Sequence, residues 1–199
     1  LTFKEQEISW VSGDLKGTGS FLVDKTGLMD LVSPENPLSL QTLMSVEGIV
    51  NQGDTDLALN GASSKLVISE DGLWEIHGGN MEDDSDNVHF ENSGRILKVR
   101  ESDSTINAFF ENKPDGAVWV RFGDLKFTDP SNWAGSLLVE NFGSVTFDLS
   151  PVLLGTPGGD GFLAEGSDMG YVGVVKFSAS EVLVSANDTA TFDLGGSSG

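Results

Sequence analysis

The chain contains no cysteine among its 199 residues. Disulfide bonds, thiol nucleophiles and cysteine-ligated metals are therefore all excluded. No apolar run approaches the ~20 residues that a membrane-spanning helix needs, and no signal peptide is recognisable. The sequence begins with Leu1 rather than Met, so we expect a processed product or a piece of a longer protein.

Basic residues are also scarce. The chain has 11 Lys and Arg against 31 Asp and Glu, which gives a formal net charge of −20 at pH 7. Such a charge repels nucleic acid and anionic membrane surfaces, so we expect no nucleic-acid partner and no membrane insertion. The two histidines, His77 and His89, are too few and too isolated for a histidine metal site.

Signals for helices are nearly absent, because 25 glycines and 6 prolines interrupt most of the sequence. What is present instead is a short pattern that opens with glycine and then alternates inward and outward residues. It occurs at residues 27–31, 72–76, 116–120, 123–127 and 143–147. Its third and fifth places are apolar and its fourth is mostly polar, which is the period of two that a half-buried strand needs.

Six glycines serve as markers of the repeat, and they recur at similar intervals. The spacings are 21, 24, 22, 22 and 27 residues, measured between Gly27, Gly48, Gly72, Gly94, Gly116 and Gly143. A repeat of about 22 residues is typical of a solenoid, in which each coil buries its apolar face only against neighbouring coils. We therefore predict an all-β fold, a parallel β-helix, with a β-sandwich as the alternative.

Asparagine stands shortly before several turn glycines, at Asn51, Asn92, Asn112 and Asn141. Asparagine tolerates the left-handed backbone conformation and hydrogen-bonds to nearby amides. Stacked from coil to coil, these side chains are expected to form a ladder along one tight corner.

The periodic pattern weakens after Pro151. We predict β-helix coils over residues 1–150 and a terminal cap or a continuing β unit over residues 151–194. Residues 195–199 consist of glycine and serine alone and are expected to form a flexible tail.

Several segments resemble the degenerate repeats of large extracellular β-helical proteins, such as filamentous adhesins and autotransporter stalks. They are residues 8–19, 90–94, 104–112, 116–120 and 123–127, and the resemblance covers about residues 8–149. It implies a right-handed parallel β-helix, an extracellular or cell-surface location, and a structural or adhesive role. It implies no particular activity.

A candidate ligand site lies in the middle of the chain. Trp119 is expected to point outward among basic residues that we also place outward, near carboxylates: Lys98, Arg100, Arg121 and Lys126. An exposed tryptophan stacks on sugar rings, while arginine and aspartate hydrogen-bond to the hydroxyl groups. Trp119, Arg121, Arg100 and Lys98 are therefore the predicted ligand-binding residues, with a polysaccharide or a cell-surface glycan as the partner.

A candidate calcium site lies in an acidic segment, at Glu82, Asp83, Asp84 and Asp86. Calcium takes six to eight oxygen ligands, and closely spaced carboxylates on a loop supply several of them. The order of ligands found in an EF-hand is missing here. Calcium is the one cofactor that the sequence suggests.

These observations favour a non-enzymatic, extracellular β-solenoid that acts as a scaffold or adhesin and binds carbohydrate or a surface. We also expect end-to-end contacts with the same or an adjoining chain, because a solenoid ends in unpaired strand edges. Two alternatives stay open: a polysaccharide lyase or glycosidase built on a β-helix, and a calcium-dependent, sugar-binding β-sandwich. No catalytic residue is predicted.

Overall fold

The structure, a computed structural model, describes residues 1–3, 5–33, 36–61, 64–83 and 88–148, except for the side chain of Asn141. Of the later residues it describes five strands, at 152–154, 162–166, 174–177, 182–184 and 190–193. The predicted tail at residues 195–199 lies outside the described residues. Within the described part there is no helix, and so none that is long and apolar enough to cross a membrane.

Short strands make up nearly all of the regular structure, as the alternating pattern predicts. In chain order they are β1 (Thr2–Phe3), β2 (Glu7–Trp10), β3 (Asp14–Val23), β4 (Leu28–Leu31), β5 (Leu38–Val46), β6 (Ile49–Gln52), β7 (Leu57–Leu59), β8 (Lys65–Ile68), β9 (Leu73–Ile76), β10 (Met81–Asp83), β11 (His89–Asn92), β12 (Arg95–Lys98), β13 (Ser104–Asn107), β14 (Phe109–Asn112), β15 (Ala117–Phe127), β16 (Ser131–Trp133), β17 (Ser136–Phe147), β18 (Val152–Leu154), β19 (Phe162–Gly166), β20 (Val174–Phe177), β21 (Val182–Val184) and β22 (Ala190–Asp193).

These strands wind into a three-sided β-solenoid in which every pairing among the described strands is parallel. The first sheet contains β2, β4, β6, β9, β12, the first parts of β15 and β17, β19 and β22. The second sheet contains the first parts of β3 and β5, β7, β10, β13, the last parts of β15 and β17, and β20. The third sheet contains β1, the last parts of β3 and β5, β8, β11, β14, β16, β18 and β21.

The parallel β-helix is therefore confirmed, with coils of about 22 residues. The β-sandwich alternative is wrong, because the pairing joins residues one full coil apart and not neighbouring antiparallel strands. Strands after residue 150 join all three sheets in the same parallel order. The right-handed winding and the division of the chain into domains stay predictions.

A ladder of glycines sets the corner at which the chain enters the first sheet. Leu28, Ile49, Leu73, Arg95, Ala117 and Ser136 lie side by side in successive coils, so the residues before them also stack: Gly27, Gly48, Gly72, Gly94, Gly116 and Gly135. A Cβ atom on Gly135 would lie 2.0 Å from the carbonyl oxygen of Gly116. Only glycine fits this close approach of two backbones.

Five of the six marker glycines therefore belong to one ladder, but the choice of Gly143 as the sixth was wrong. Gly143 pairs with Gly123 near the start of the second sheet, whereas Gly135 is the true successor of Gly116. The coil that separates Gly116 from Gly135 contains 19 residues, and not the 27 that Gly143 suggested. Two similar glycine patterns, on two different sheets, caused the error.

The interior is apolar and becomes aromatic in the middle coils. Phe110 is fully buried, and its ring centroid lies 5.1 Å from that of Phe90, 5.0 Å from that of Phe127 and 5.1 Å from that of Trp133. Phe147 continues the stack, 5.6 Å from Phe127. Such tilted and edge-to-face contacts stabilise aromatic pairs beyond the area they bury.

Two buried asparagines form the predicted ladder, but only in part. Asn92 Nδ2 donates to Asn112 Oδ1 at 2.8 Å, and Asn112 Nδ2 donates to the Gly116 carbonyl at 3.3 Å. Asn51 is not in this ladder, since it lies on the outer face of the first sheet and donates to Asp30 Oδ1 at 2.9 Å. The side chain of Asn141 lies outside the described part of the chain.

Candidate functional site

One row of residues on the outer face of the first sheet is polar in three coils and apolar in the next three. The fourth place of the glycine pattern faces outward, and in three successive coils it is occupied by Asp30, Asn51 and Glu75. In the next three coils the same place is occupied by Leu97, Trp119 and Leu138. The strand that follows, β19, returns to an acidic residue at this place, Glu165. We call Leu97, Trp119 and Leu138 the apolar row.

Trp119 is the most prominent member of the apolar row, with 38% of its surface exposed. Its outward direction was predicted from the alternation of the strand, and the burial of Val118 and Val120 on either side confirms it. An exposed tryptophan between two leucines is costly in water. Its exposure therefore marks this row as a surface that another molecule could cover.

A groove runs beside the apolar row. Its volume is about 240 Å³, and its walls include Leu73, Trp119 and Leu138. The outward residues of the neighbouring row are small at this point, Ala117 and Ser136, and so they leave the space open. Arg95 also lines the groove and lies between Leu73 and Ala117 in the same row.

Arg121 lies over the ring of Trp119, with its guanidinium carbon 5.5 Å from the ring centroid. Its Nε atom is 3.5 Å from Glu140 Oε2 on the next coil. The cation–π contact and this exposed ion pair together orient the arginine at the edge of the apolar row. The structure thus brings together two of the predicted ligand-binding residues, Trp119 and Arg121.

Lys98 does not belong to this surface, and its predicted outward direction is wrong. It has no exposed surface, because it occupies the fifth place of the pattern that Gly94 opens, where the strand points inward. Its Nζ atom donates to the Arg100 carbonyl at 2.7 Å. Burial lowers the pKa of Lys98 to about 8, although Asp103 and Asp54 oppose the shift.

Arg100 is exposed, but it lies at the corner that follows the first sheet. There it lines a separate, open depression of about 560 Å³ together with Asp54, Glu101 and Phe122. Phe122 stacks on Phe142 at 6.0 Å between ring centroids. The groove beside Trp119 and the depression at Arg100 have no lining residue in common. Arg100 and Trp119, which were predicted to form one site, therefore line two separate surfaces.

Lys126 lies on the second sheet, one residue beyond Leu125, and it forms an ion pair with Asp148. This places it on a different face from Trp119. Its outward direction is confirmed, since its side chain is partly exposed. Lys126 is therefore not part of the groove.

The predicted calcium residues are only partly described. Glu82 and Asp83 end β10, and Asp83 Oδ2 accepts a hydrogen bond from the Val88 amide at 3.1 Å. Asp84 and Asp86 lie outside the described residues. Across the described ranges, no three histidine, aspartate or glutamate side chains come close enough to hold a metal ion.

Sequence reasoning missed Arg95, Leu97 and Leu138. A signal for the two leucines was present, because both stand at a place of the glycine pattern that is polar in the three preceding coils. Leu138 can be recognised only when Gly135 is taken as the marker glycine of its coil, because Leu138 is then the fourth residue of the pattern. Arg95 could be assigned to the groove only from the register of the strands, which places it beside Ala117.

No protein-family model matches this chain, and neither a curated protein nor a solved structure is similar to it.

Proposed function

We propose that this chain is a non-catalytic β-solenoid that serves as a scaffold and binds carbohydrate through the groove beside Trp119. The observation that carries the proposal is the apolar row, which over three coils replaces the polar residues found at the same outward place in the three preceding coils. An indole ring with leucines on both sides offers a flat apolar surface, and Arg95 and Ser136 offer hydrogen-bonding groups beside it. This combination suits a sugar, which has apolar ring faces and polar edges.

The size of the groove supports a small binding unit. Its volume of about 240 Å³ lies below the ~300 Å³ at which pockets for drug-sized ligands begin. It would therefore receive one sugar ring at a time. A longer glycan would extend along the outer face beyond the groove.

An extracellular or cell-surface location belongs to the same proposal, and the resemblance to extracellular repeat proteins supports it. Contacts between the ends of two solenoids are also part of it. In the described part of the chain β2 pairs with β4 alone, so one of its edges is open to a further strand. Calcium stays a proposal that the acidic segment around Glu82 suggests.

A glycan array tests the carbohydrate proposal, with the intact chain applied in the presence and in the absence of calcium. We expect selective binding that Trp119→Ala reduces at least tenfold. Phe142→Ala is the matched control, because Phe142 is 69% exposed but does not line the groove. Unchanged folding of both variants is checked by circular dichroism and thermal unfolding.

Each result of the array has a definite meaning. Binding that needs Trp119 but not Phe142 supports the proposal. A blank array, or binding lost equally in both variants, overturns it. Cleavage of a bound glycan would instead support the alternative of a carbohydrate-active enzyme.

A further inference from the structure

We infer that the groove beside Trp119 selects sugars that carry a carboxylate, and that Arg95 is the residue that recognises this group. The inference rests on the proposed function, and it specifies the class of ligand for the same groove. It concerns a residue that the sequence pattern did not single out. The following observations carry it.

The first observation is the distribution of charge. The chain has 31 acidic residues and only three arginines, Arg95, Arg100 and Arg121, all within 27 consecutive positions. Yet, of the described residues that line the groove, none is acidic and only Arg95 is charged. A described lining of this kind, in so acidic a chain, is suited to an anionic group.

The second observation is that Arg95 is exposed and free. Among the described residues it forms no ion pair, whereas Arg121 is held by Trp119 and Glu140. Several lysines also have acidic partners, for example Lys65 with Glu91 at 2.7 Å and Lys113 with Glu111 at 2.7 Å. The guanidinium of Arg95 can therefore bind a ligand without first breaking an ion pair.

The third observation is the match between guanidinium and carboxylate. The planar guanidinium donates two parallel hydrogen bonds to a carboxylate, a geometry that lysine does not offer. Leu73 and Ala117 flank Arg95 in its row, so this contact would form next to apolar surface that excludes water. Such surroundings strengthen a charge-assisted hydrogen bond.

The fourth observation concerns the rest of the ligand. With its carboxylate on Arg95, a sugar ring in the groove would lie over Ala117 and against Trp119, which also line it. Ser136 would be within the same groove to hydrogen-bond a ring hydroxyl. One ring fills the volume, so a single uronic acid residue is the unit that we expect to be recognised.

The experiment uses matched ligands. A panel of uronate oligosaccharides and their carboxyl-reduced counterparts is titrated into the intact chain by calorimetry. We expect the acidic form of at least one pair to bind at least ~10-fold more tightly, which is about 1.4 kcal/mol, since a hydrogen bond to a charged group contributes at least this much. Arg95→Gln should remove this preference, because it should weaken binding of the acidic form much more than binding of the reduced form.

Three further variants make the test specific. Arg95→Lys keeps the charge but not the paired donors, so it should restore only part of the preference. Arg100→Gln removes an exposed arginine that does not line the groove and should change nothing. Trp119→Ala should weaken both members of a pair.

The outcomes separate the two proposals. Equal affinity for acidic and reduced forms, with binding that still depends on Trp119, overturns the inference and leaves the proposed function standing. A preference that survives Arg95→Gln also overturns it. A preference for sulfated over carboxylated sugars contradicts it as well. Failure of every oligosaccharide to bind overturns both proposals.

Discussion

Replacing Lys98 with methionine removes a buried charge from the interior of the solenoid. Lys98 lies between Ile76 and Val120 in its inner row, both of which are buried and apolar. Methionine has nearly the same length and shape and needs no hydrogen bond. The substitution therefore tests the cost of the charge with little change in packing.

The expected magnitude follows from the lowered pKa of Lys98. Burial shifts it from 10.5 to about 8. One pKa unit corresponds to about 1.4 kcal/mol, so the charged form costs at most about 3 kcal/mol on folding. Loss of the hydrogen bond from Nζ to the Arg100 carbonyl offsets about 1 kcal/mol of the gain. At pH 7 we expect Lys98→Met to raise the free energy of unfolding by about 1–2 kcal/mol.

The pH dependence is the sharper part of this prediction. Between pH 8 and pH 10.5 the unfolded chain keeps a proton on Lys98 that the folded chain has released. The free energy of unfolding therefore rises with pH in this window because of Lys98. The difference between variant and wild type should be largest below pH 8 and should fall by up to about 3 kcal/mol towards pH 10.5.

The assay is urea unfolding followed by circular dichroism, at several pH values from 7 to 10.5. Lys16→Met is the matched control, because Lys16 is exposed and lies beside Asp14. The plot of its free energy of unfolding against pH should run parallel to that of the wild type. If Lys98→Met also gives a parallel curve, Lys98 is not a buried cation with a lowered pKa, and the reasoning is refuted.

Two further predictions concern the fold. Phe110→Ala should lower the free energy of unfolding by about 3–5 kcal/mol in urea, because it leaves a cavity in the aromatic stack; a loss below 1 kcal/mol would mean that the rings are not packed as described. Gly135→Ala should destabilise the chain strongly in thermal unfolding, since the new Cβ would meet a backbone oxygen at 2.0 Å. Gly19→Ala has nothing within 4 Å of its Cβ and should behave like the wild type; equal melting temperatures for both variants would contradict the glycine ladder.

Much of the fold could be predicted from the sequence because one steric rule recurs in several successive coils. The corners before β6, β9 and β12 leave no room for a side chain, so Gly48, Gly72 and Gly94 reveal the period of the structure. The glycine pattern indicates that a strand begins, but it does not show which sheet that strand joins. Gly123 and Gly143 open a similar pattern on the second sheet, and only the pairing of strands distinguishes them.

The candidate site was predictable to a smaller extent. Trp119 was placed correctly because alternation along a strand fixes which side chains face outward. The same rule points Lys98 inward. The prediction that it faces outward rested on its charge, which usually keeps a lysine at the surface. Arg100 could not have been placed, since it lies in a corner where alternation no longer applies.

Unequal coil lengths have a consequence for how this molecule could be altered. Successive coils of 24, 22, 22 and 19 residues keep the same register on the first sheet, so the corners absorb the differences. Residues added at a corner away from the glycine ladder would displace neither the coil above nor the coil below. A foreign peptide or a labelling tag grafted there would be displayed at a fixed height along the solenoid axis.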